Sequence, residues 1–479
     1  MARSLGVVAT GHSEVSAAAA SALRAGGNAF DAALAAGFAA AVAEPMFTSL
    51  GGGGFLLARC ADGRAVLFDF FVDMPGRGLA DTDREPHFLP VTVRFPASEQ
   101  VFQAGLGSVA VPGTLAGFLR VHERLARLPL AELVSPAVRL ARQGVVLSSH
   151  QAYVQGLLEP IVTLSAEGRA IYAPAGRGLR EGELQRNPAL ADFLEALPDH
   201  RGRDLYAGAL AVAVARDMRA AQGLLCEADL ASYAVVEREP LACRYRGYQL
   251  LTNPPPSLGG SLIAKTLELL EAGNFASGTP EYLSALAAAM EEVERLRAGS
   301  AAGGTTHVSV CDAAGNAASL SLSNGEGSGY LVPGTGIMLN NMLGEDDLHP
   351  AGERAGPAGK RVGSMMSPTL VLELAEPRLV LGSGGSKRIR SAMVQVLSAV
   401  LDFDTGVREA VEAPRIHWDG ERLQVEPGLD PEVLEALARR WRLNLWEERN
   451  LYFGGVHAVD PRGEAAGDSR RDGHGEVVY

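Results

Sequence analysis

The sequence predicts a mixed fold of layered helices and antiparallel strand hairpins, and three stretches carry that expectation. Ser13–Ala25 and Asp31–Ala43 read as two Ala-rich helices separated by the stop signal Gly26-Gly27-Asn28. Their small side chains let other backbone approach closely, as helices that form a layer require. Phe55–Arg59 and Ala65–Phe71 read as a hairpin around Ala61-Asp62-Gly63. His307–Cys311 and Ala317–Ser323 read as a second hairpin around Asp312–Asn316, with Ser319, Ser321 and Ser323 on one face.

In chain order, the first helix pair is followed by Gly51-Gly52-Gly53-Gly54. No Gly-Lys-Ser/Thr follows and a strand comes next, so the run fits close packing better than phosphate binding. Helical stretches follow at Leu115–Leu125 and Leu130–Arg142, after the turn Val111-Pro112-Gly113, and polar helical sequence continues to about Arg219. A strand led by Tyr245–Tyr248 enters the rigid Pro254–Gly260 connection before a helix at Ser261–Glu271. A helix at Glu281–Arg297 then delivers the chain to Ala298–Gly304, which contains only Ala, Gly and Ser. Downstream stand Leu339-Asn340-Asn341, the acidic Glu345-Asp346-Asp347, Ser364–Pro368 and a strand at Thr369–Glu373. Gly382–Ser386 precedes a helix at Lys387–Leu401. Its amides could donate to an oxyanion, although a tight turn explains the same glycines.

Composition narrows the class. A chain of 479 residues with 47% hydrophobic content has material for a large core, and its 56 Gly and 26 Pro are spread as turns rather than gathered into a low-complexity tract. The net charge of −13 and the lack of a basic run disfavour a nucleic-acid or anionic-membrane partner. Cys60, Cys226, Cys243 and Cys311 have neither CxxC nor framework spacing, so buried thiols are expected, with no metal and no cofactor. The N-terminal apolar run is too short for a secretory signal, and a cytoplasmic protein is the expectation.

Thr305 is the candidate centre. A threonine hydroxyl needs a base beside it, and cleavage of the peptide bond just before it frees its own α-amine for that role. The small, flexible run ending in Gly303-Gly304 suits such self-cleavage, although Gly-Gly-Thr-Thr also fits a loop running into an edge strand.

Several segments, in shared order over nearly the whole chain, resemble the gamma-glutamyltransferase (glutathione hydrolase) family of N-terminal-nucleophile hydrolases. They are Gly26–Ala33, Leu50–Phe55, Val111-Pro112-Gly113, Pro254–Ser257, Thr305-Thr306-His307, Leu339–Asn341, Met366–Thr369 and Gly382–Ser386. The resemblance implies an α+β fold, a four-layer αββα sandwich, cut into segments 1–304 and 305–479 that stay one structural domain, with further dimerisation left open. It implies that Thr305 is nucleophile and, through its amine, base; that Ser323 bonds it, with Ser321 beside; and that the oxyanion hole lies on Gly384-Gly385 or Gly385-Ser386. Asn324 and Asp347 match positions that hold a substrate's α-amino group, with Gly344-Glu345 as an insertion that makes Glu345 a second acidic candidate; Ser364 matches a further polar contact.

The departures fall on acyl recognition. Phe71 stands where relatives carry an Arg that clamps the glutamate α-carboxylate, Met342 where they carry Gln or Glu, and Met365 where they carry a second Ser. The leading expectation is a self-cleaving amide hydrolase or acyltransferase that takes a small amide or peptide and has an altered acyl pocket. A second keeps ordinary glutamyl turnover with Arg77 or Arg361 as substitute cation. A third is an inactive relative serving as a binding protein, against which the intact Thr305, Ser321, Ser323 and glycine segment argue.

Overall fold

The computed structural model describes residues 4–79, 85–95, 98–296, 304–345, 348 and 356–479. Two antiparallel sheets face each other. The first has seven strands in the order His474–Val478, Gly6–Thr10, Thr305–Asp312, Ala317–Ser323, Gly53–Arg59, Ala65–Phe70 and Val236–Arg238. The second has six: Glu464–Ala466, Gly455–Asp460, Glu376–Gly384, Thr369–Glu373, Tyr248–Thr252 and Leu241–Tyr245.

Period-two patterning assigns the faces. Leu56, Ala58, Val308, Val310, Leu320 and Leu322 share a core with the helices Ser13–Arg24 and Ala29–Ala43. Phe55, Leu57 and Ala317, alternating with them, belong to the core between the sheets. All fifteen residues of Ala29–Ala43 are buried, which its nine alanines permit by leaving room for neighbouring backbone. The helices Gly259–Glu271, Pro280–Leu296 and Arg388–Phe403 supply Ile263, Leu267, Leu286, Met290, Val394 and Leu397 to the core on the other side. The layers therefore run helix, sheet, sheet, helix.

Thr305 opens a strand that is third of seven, paired on both sides, so it is not at an edge. Both sheets draw strands from both sides of the Gly304–Thr305 bond. The glycine run is packed as the sequence predicts: a Cβ on Gly52 would sit 2.2 Å from the Ser323 carbonyl oxygen, and one on Gly54 would sit 2.4 Å from that of Ser321.

Several boundaries differ. Asn28 is the cap of the second helix, its side chain accepting from Phe30 and Asp31, so the helix starts at Ala29. Gly382-Ser383-Gly384 ends a strand, Glu376–Gly384, instead of forming a turn. Of the four thiols only Cys311 is buried; Cys60, Cys226 and Cys243 are half-buried.

Candidate active site

Thr305 and Ser323 are direct partners across the central strand pair, and both side chains are buried. The Ser323 hydroxyl donates to the Gly304 carbonyl and accepts from the Gly325 amide at 3.1 Å. The carbonyl of the bond that self-cleavage would break is therefore polarised by the hydroxyl expected to serve the nucleophile. Two pairs further along, Ser321 faces His307 and its hydroxyl meets Nδ1 at 2.8 Å. Ser309 and Ser319 meet the other ring nitrogen at 3.0 and 3.3 Å. Ser321 thus belongs to a buried hydroxyl–imidazole seam between the sheets, and does not line the cavity that Thr305 lines. Burial, with His457 as a second cause, holds the His307 pKa well below the usual imidazole value.

The glycine segment approaches Thr305 from the second sheet. Gly384 pairs with Gly455, and a Cβ on it would lie 2.1 Å from the Thr305 carbonyl oxygen. Gly385 and Ser386 lie beyond the strand and before the helix Arg388–Phe403, at φ of 121° and 60°. A left-handed serine is strained by about 1–3 kcal/mol. The Ser386 hydroxyl is buried and has no hydrogen-bond partner among the described residues.

Thr305, Ser323 and Ser386 line one small cavity together with Phe71, Met342, Glu345, Ser364 and Met365. Eight of the thirteen residues expected at the site thus converge. Asn324 follows Ser323 with its side chain 1% exposed and both amide atoms without a hydrogen-bond partner among the described residues. Asp347 lies outside the described residues.

The cavity measures about 20 Å³, against about 510 Å³ for a neighbouring cleft that contains Gly304, Ser386, Phe47, Arg388 and Tyr452. Among the described residues its lining holds no Lys or Arg. Phe71 is 1% exposed and stacks on Phe55 with ring centres 5.5 Å apart. Arg361 lies behind it, donating to the Phe71 carbonyl, to the Tyr233 hydroxyl at 2.8 Å and to the Ala234 carbonyl at 2.8 Å, and pairing with Asp73 at 3.0 Å. Arg77 is exposed. Neither cation enters the cavity.

Two residues here gave no sequence signal. Arg471 is buried, donates to the Thr305 carbonyl at 3.2 Å and lies over the Phe47 ring. Burial and the nearby Arg388 lower its pKa to about 10. Glu44 ends the helix Ala29–Ala43 and accepts from the Thr306 hydroxyl at 2.6 Å. Burial raises its pKa to about 7, the Thr306 bond and Arg471 opposing. Each contact joins positions more than 150 residues apart, with no local pattern to reveal it.

The helix, sheet, sheet, helix layers make a four-layer αββα fold, in which Thr305 is buried at the head of a central strand. The model of the Gamma-glutamyltranspeptidase family matches residues 15–300 and 288–478, and the chain belongs to that family. It is 32% identical to the Acylase ACY 1 proenzyme of Pseudomonas sp. (strain SE83), covering 98% of this chain and 93% of the relative. It is 31% identical to the Glutathione hydrolase proenzyme of Escherichia coli (strain K12), covering 87% and 81%. Among solved structures it resembles a cephalosporin acylase from Bacillus halodurans, with a TM-score of 0.83, 26% identity and coverage of 98% and 95%.

Proposed function

We propose that this chain is a self-cleaving amide hydrolase or acyltransferase whose nucleophile is Thr305 and whose acyl pocket does not recognise a γ-glutamyl carboxylate. The observation that carries the reading is the Ser323 hydroxyl on the Gly304 carbonyl, opposite Thr305. In self-cleavage, Thr305 Oγ adds to the Gly304 carbonyl carbon and the bond to the Thr305 nitrogen breaks. The hydroxyl proton passes to that nitrogen, and water then hydrolyses the ester to leave the Gly304 carboxylate and a free Thr305 amine.

In turnover the amine takes the hydroxyl proton as Oγ attacks the substrate amide, and gives it to the departing amine. The acyl group is released to water or to a second amine. Gly385 and Ser386 are assigned the oxyanion contacts because their amides lie outside both ladder and helix, whereas Gly384 is held in the pair with Gly455. Ser323 keeps Thr305 oriented.

A γ-glutamyl group would bring a carboxylate into a cavity with no Lys or Arg among its described lining residues. Losing two charge-assisted contacts weakens recognition by roughly a hundredfold or more. Denaturing electrophoresis is expected to show two pieces for the wild type, the smaller beginning at Thr305, and one piece for Thr305→Ala. A correctly folded wild type that stays a single chain after prolonged incubation overturns the mechanism. Efficient hydrolysis of a γ-glutamyl anilide, relative to a neutral short-chain acyl anilide, overturns the altered pocket.

A further inference from the structure

We infer that the acyl group of the substrate lies in the larger cleft beside Thr305 and is an uncharged arylalkanoyl group. The inference rests on the proposed role of Thr305 and names the substrate class of that site. Volume decides first where an acyl chain can go. The cavity that Thr305 lines, at about 20 Å³, holds little more than one water-sized group, and Phe71, Met342 and Met365 are packed around it. The neighbouring cleft, at about 510 Å³, lies within the range usual for small-molecule sites. The bond broken in self-cleavage points the same way. Gly304 is the acyl residue of that bond, and it lines the cleft and not the cavity. A Cβ on Gly304 would lie 3.6 Å from the Phe47 ring, so its α-carbon sits beside that wall of the cleft. Thr305 Oγ attacks a carbonyl carbon in both reactions, and a substrate acyl group that takes the place of Gly304 therefore extends into the cleft. Gly385 and Ser386, assigned the oxyanion contacts, line it too.

The walls of the cleft set the class. Phe47, Phe102, Leu157, Leu451 and Tyr452 line it half-buried, so several large apolar side chains turn part of their surface to one space. An apolar ring that enters takes its own surface and theirs out of water. Two of the facing rings are held in place before any ligand arrives. Tyr452 stacks on Trp446 with ring centres 4.9 Å apart and has the Arg388 guanidinium 4.6 Å over it, and Arg471 lies 5.3 Å over Phe47. A ligand ring thus meets ordered aromatic walls and costs little further ordering. Lys387, Arg388 and Arg471 are balanced in the lining by Glu326, Asp419 and Glu421, so neither sign is in excess for a charged acyl group to match. In the reaction the amide C–N bond breaks and the acyl carbon joins Thr305 Oγ. The hydroxyl proton leaves with the amine through the Thr305 amino group, and water releases the arylalkanoic acid.

The test uses two isomeric amides, N-methyl-2-phenylacetamide and N-benzylacetamide, which carry the same ring on the acyl side and on the amine side of the bond. Amine release is measured with the cleaved wild-type enzyme and corrected by subtracting that of Thr305→Ala. The phenylacetyl isomer is expected to exceed the acetyl isomer in kcat/KM by roughly ten- to a hundredfold. Phe102→Ala and Leu157→Gln change the cleft and not the small cavity, and each is expected to lower that ratio about tenfold. A wild-type ratio of one or less places the ring on the amine side or outside the cleft; it overturns the inference and leaves the Thr305 mechanism standing. A ratio that neither variant lowers also overturns it, and if one variant does not fold the other decides. No hydrolysis of either isomer above Thr305→Ala, with a butyryl anilide still turned over, overturns the inference alone. No hydrolysis of all three compounds overturns the inference and the proposed activity together.

Discussion

Ser323 and Ser319 lie on one strand face, four residues apart, yet the structure gives their hydroxyls different tasks. Ser323 donates to the Gly304 carbonyl, whereas Ser319 donates to the Leu381 carbonyl at 3.0 Å and holds the sheets together. Ser323→Ala is therefore expected to slow self-cleavage roughly a hundredfold, an effect of the size found when one oxyanion donor is removed. Ser319→Ala is expected to lower thermal stability while cleavage proceeds near the wild-type rate. A cleavage time course on denaturing gels checks this, and equal slowing in both variants refutes the assignment. The same scale shows what sequence could reveal. Phe71, Met342 and Met365 were legible because each replaces a residue type inside a motif of fixed order, and all three line the cavity. The hydrogen bond between Ser321 and His307 was hidden, because it depends on the pairing register and not on spacing.

At the scale of elements, the strand Glu376–Gly384 carries two glycines that the sequence presented as a turn. Glycine weakens a strand, so its presence in one marks a close approach. A Cβ on Gly382 would lie 2.2 Å from the His307 ring, and one on Gly384 would meet the Thr305 carbonyl. Gly384→Ala is expected to push the two sheets apart at the nucleophile, costing about 1–3 kcal/mol of stability and blocking self-cleavage. Thermal unfolding and denaturing electrophoresis read the two effects, and a variant with wild-type melting and cleavage contradicts the packing. The helix Ala29–Ala43 makes a second prediction through its terminal Glu44. Its folded pKa, raised to about 7, exceeds the ordinary carboxyl value, so the folded state holds a proton that the unfolded state has lost. Stability is thus highest below about pH 4.5 as far as this group is concerned, falls as pH rises to about 7 and levels off above. The loss is on the order of 3 kcal/mol. Glu44→Gln keeps an acceptor for Thr306 and is expected to flatten the stability slope between pH 5 and 7, measured by denaturant unfolding; an unaltered slope excludes Glu44 as its source.

At the scale of the whole molecule, the Ala-rich helices and the period-two hairpins were legible as local patterns, and the order of layers followed from the family resemblance. Which strands are neighbours was not, since Thr305–Asp312 pairs with Gly6–Thr10, about 300 residues away. That long-range pairing decides what cleavage does to the fold. The first sheet places the strands Gly6–Thr10, Gly53–Arg59, Ala65–Phe70 and Val236–Arg238 among three strands from beyond residue 304. The second joins Tyr248–Thr252 to Thr369–Glu373. Breaking the Gly304–Thr305 bond removes no ladder hydrogen bond between them, so the two pieces are expected to elute as one particle in native size-exclusion chromatography and to separate only in denaturant. Refolding exposes the difference, because an uncut chain closes its sheets within one molecule while two pieces must first meet. After denaturation, recovery of native structure by Thr305→Ala is expected to be independent of protein concentration from about 0.1 to 10 μM, whereas recovery of the cleaved wild type falls as the solution is diluted. Concentration-independent recovery of both forms would mean that one piece folds without the strands of the other, against the interleaved order of both sheets.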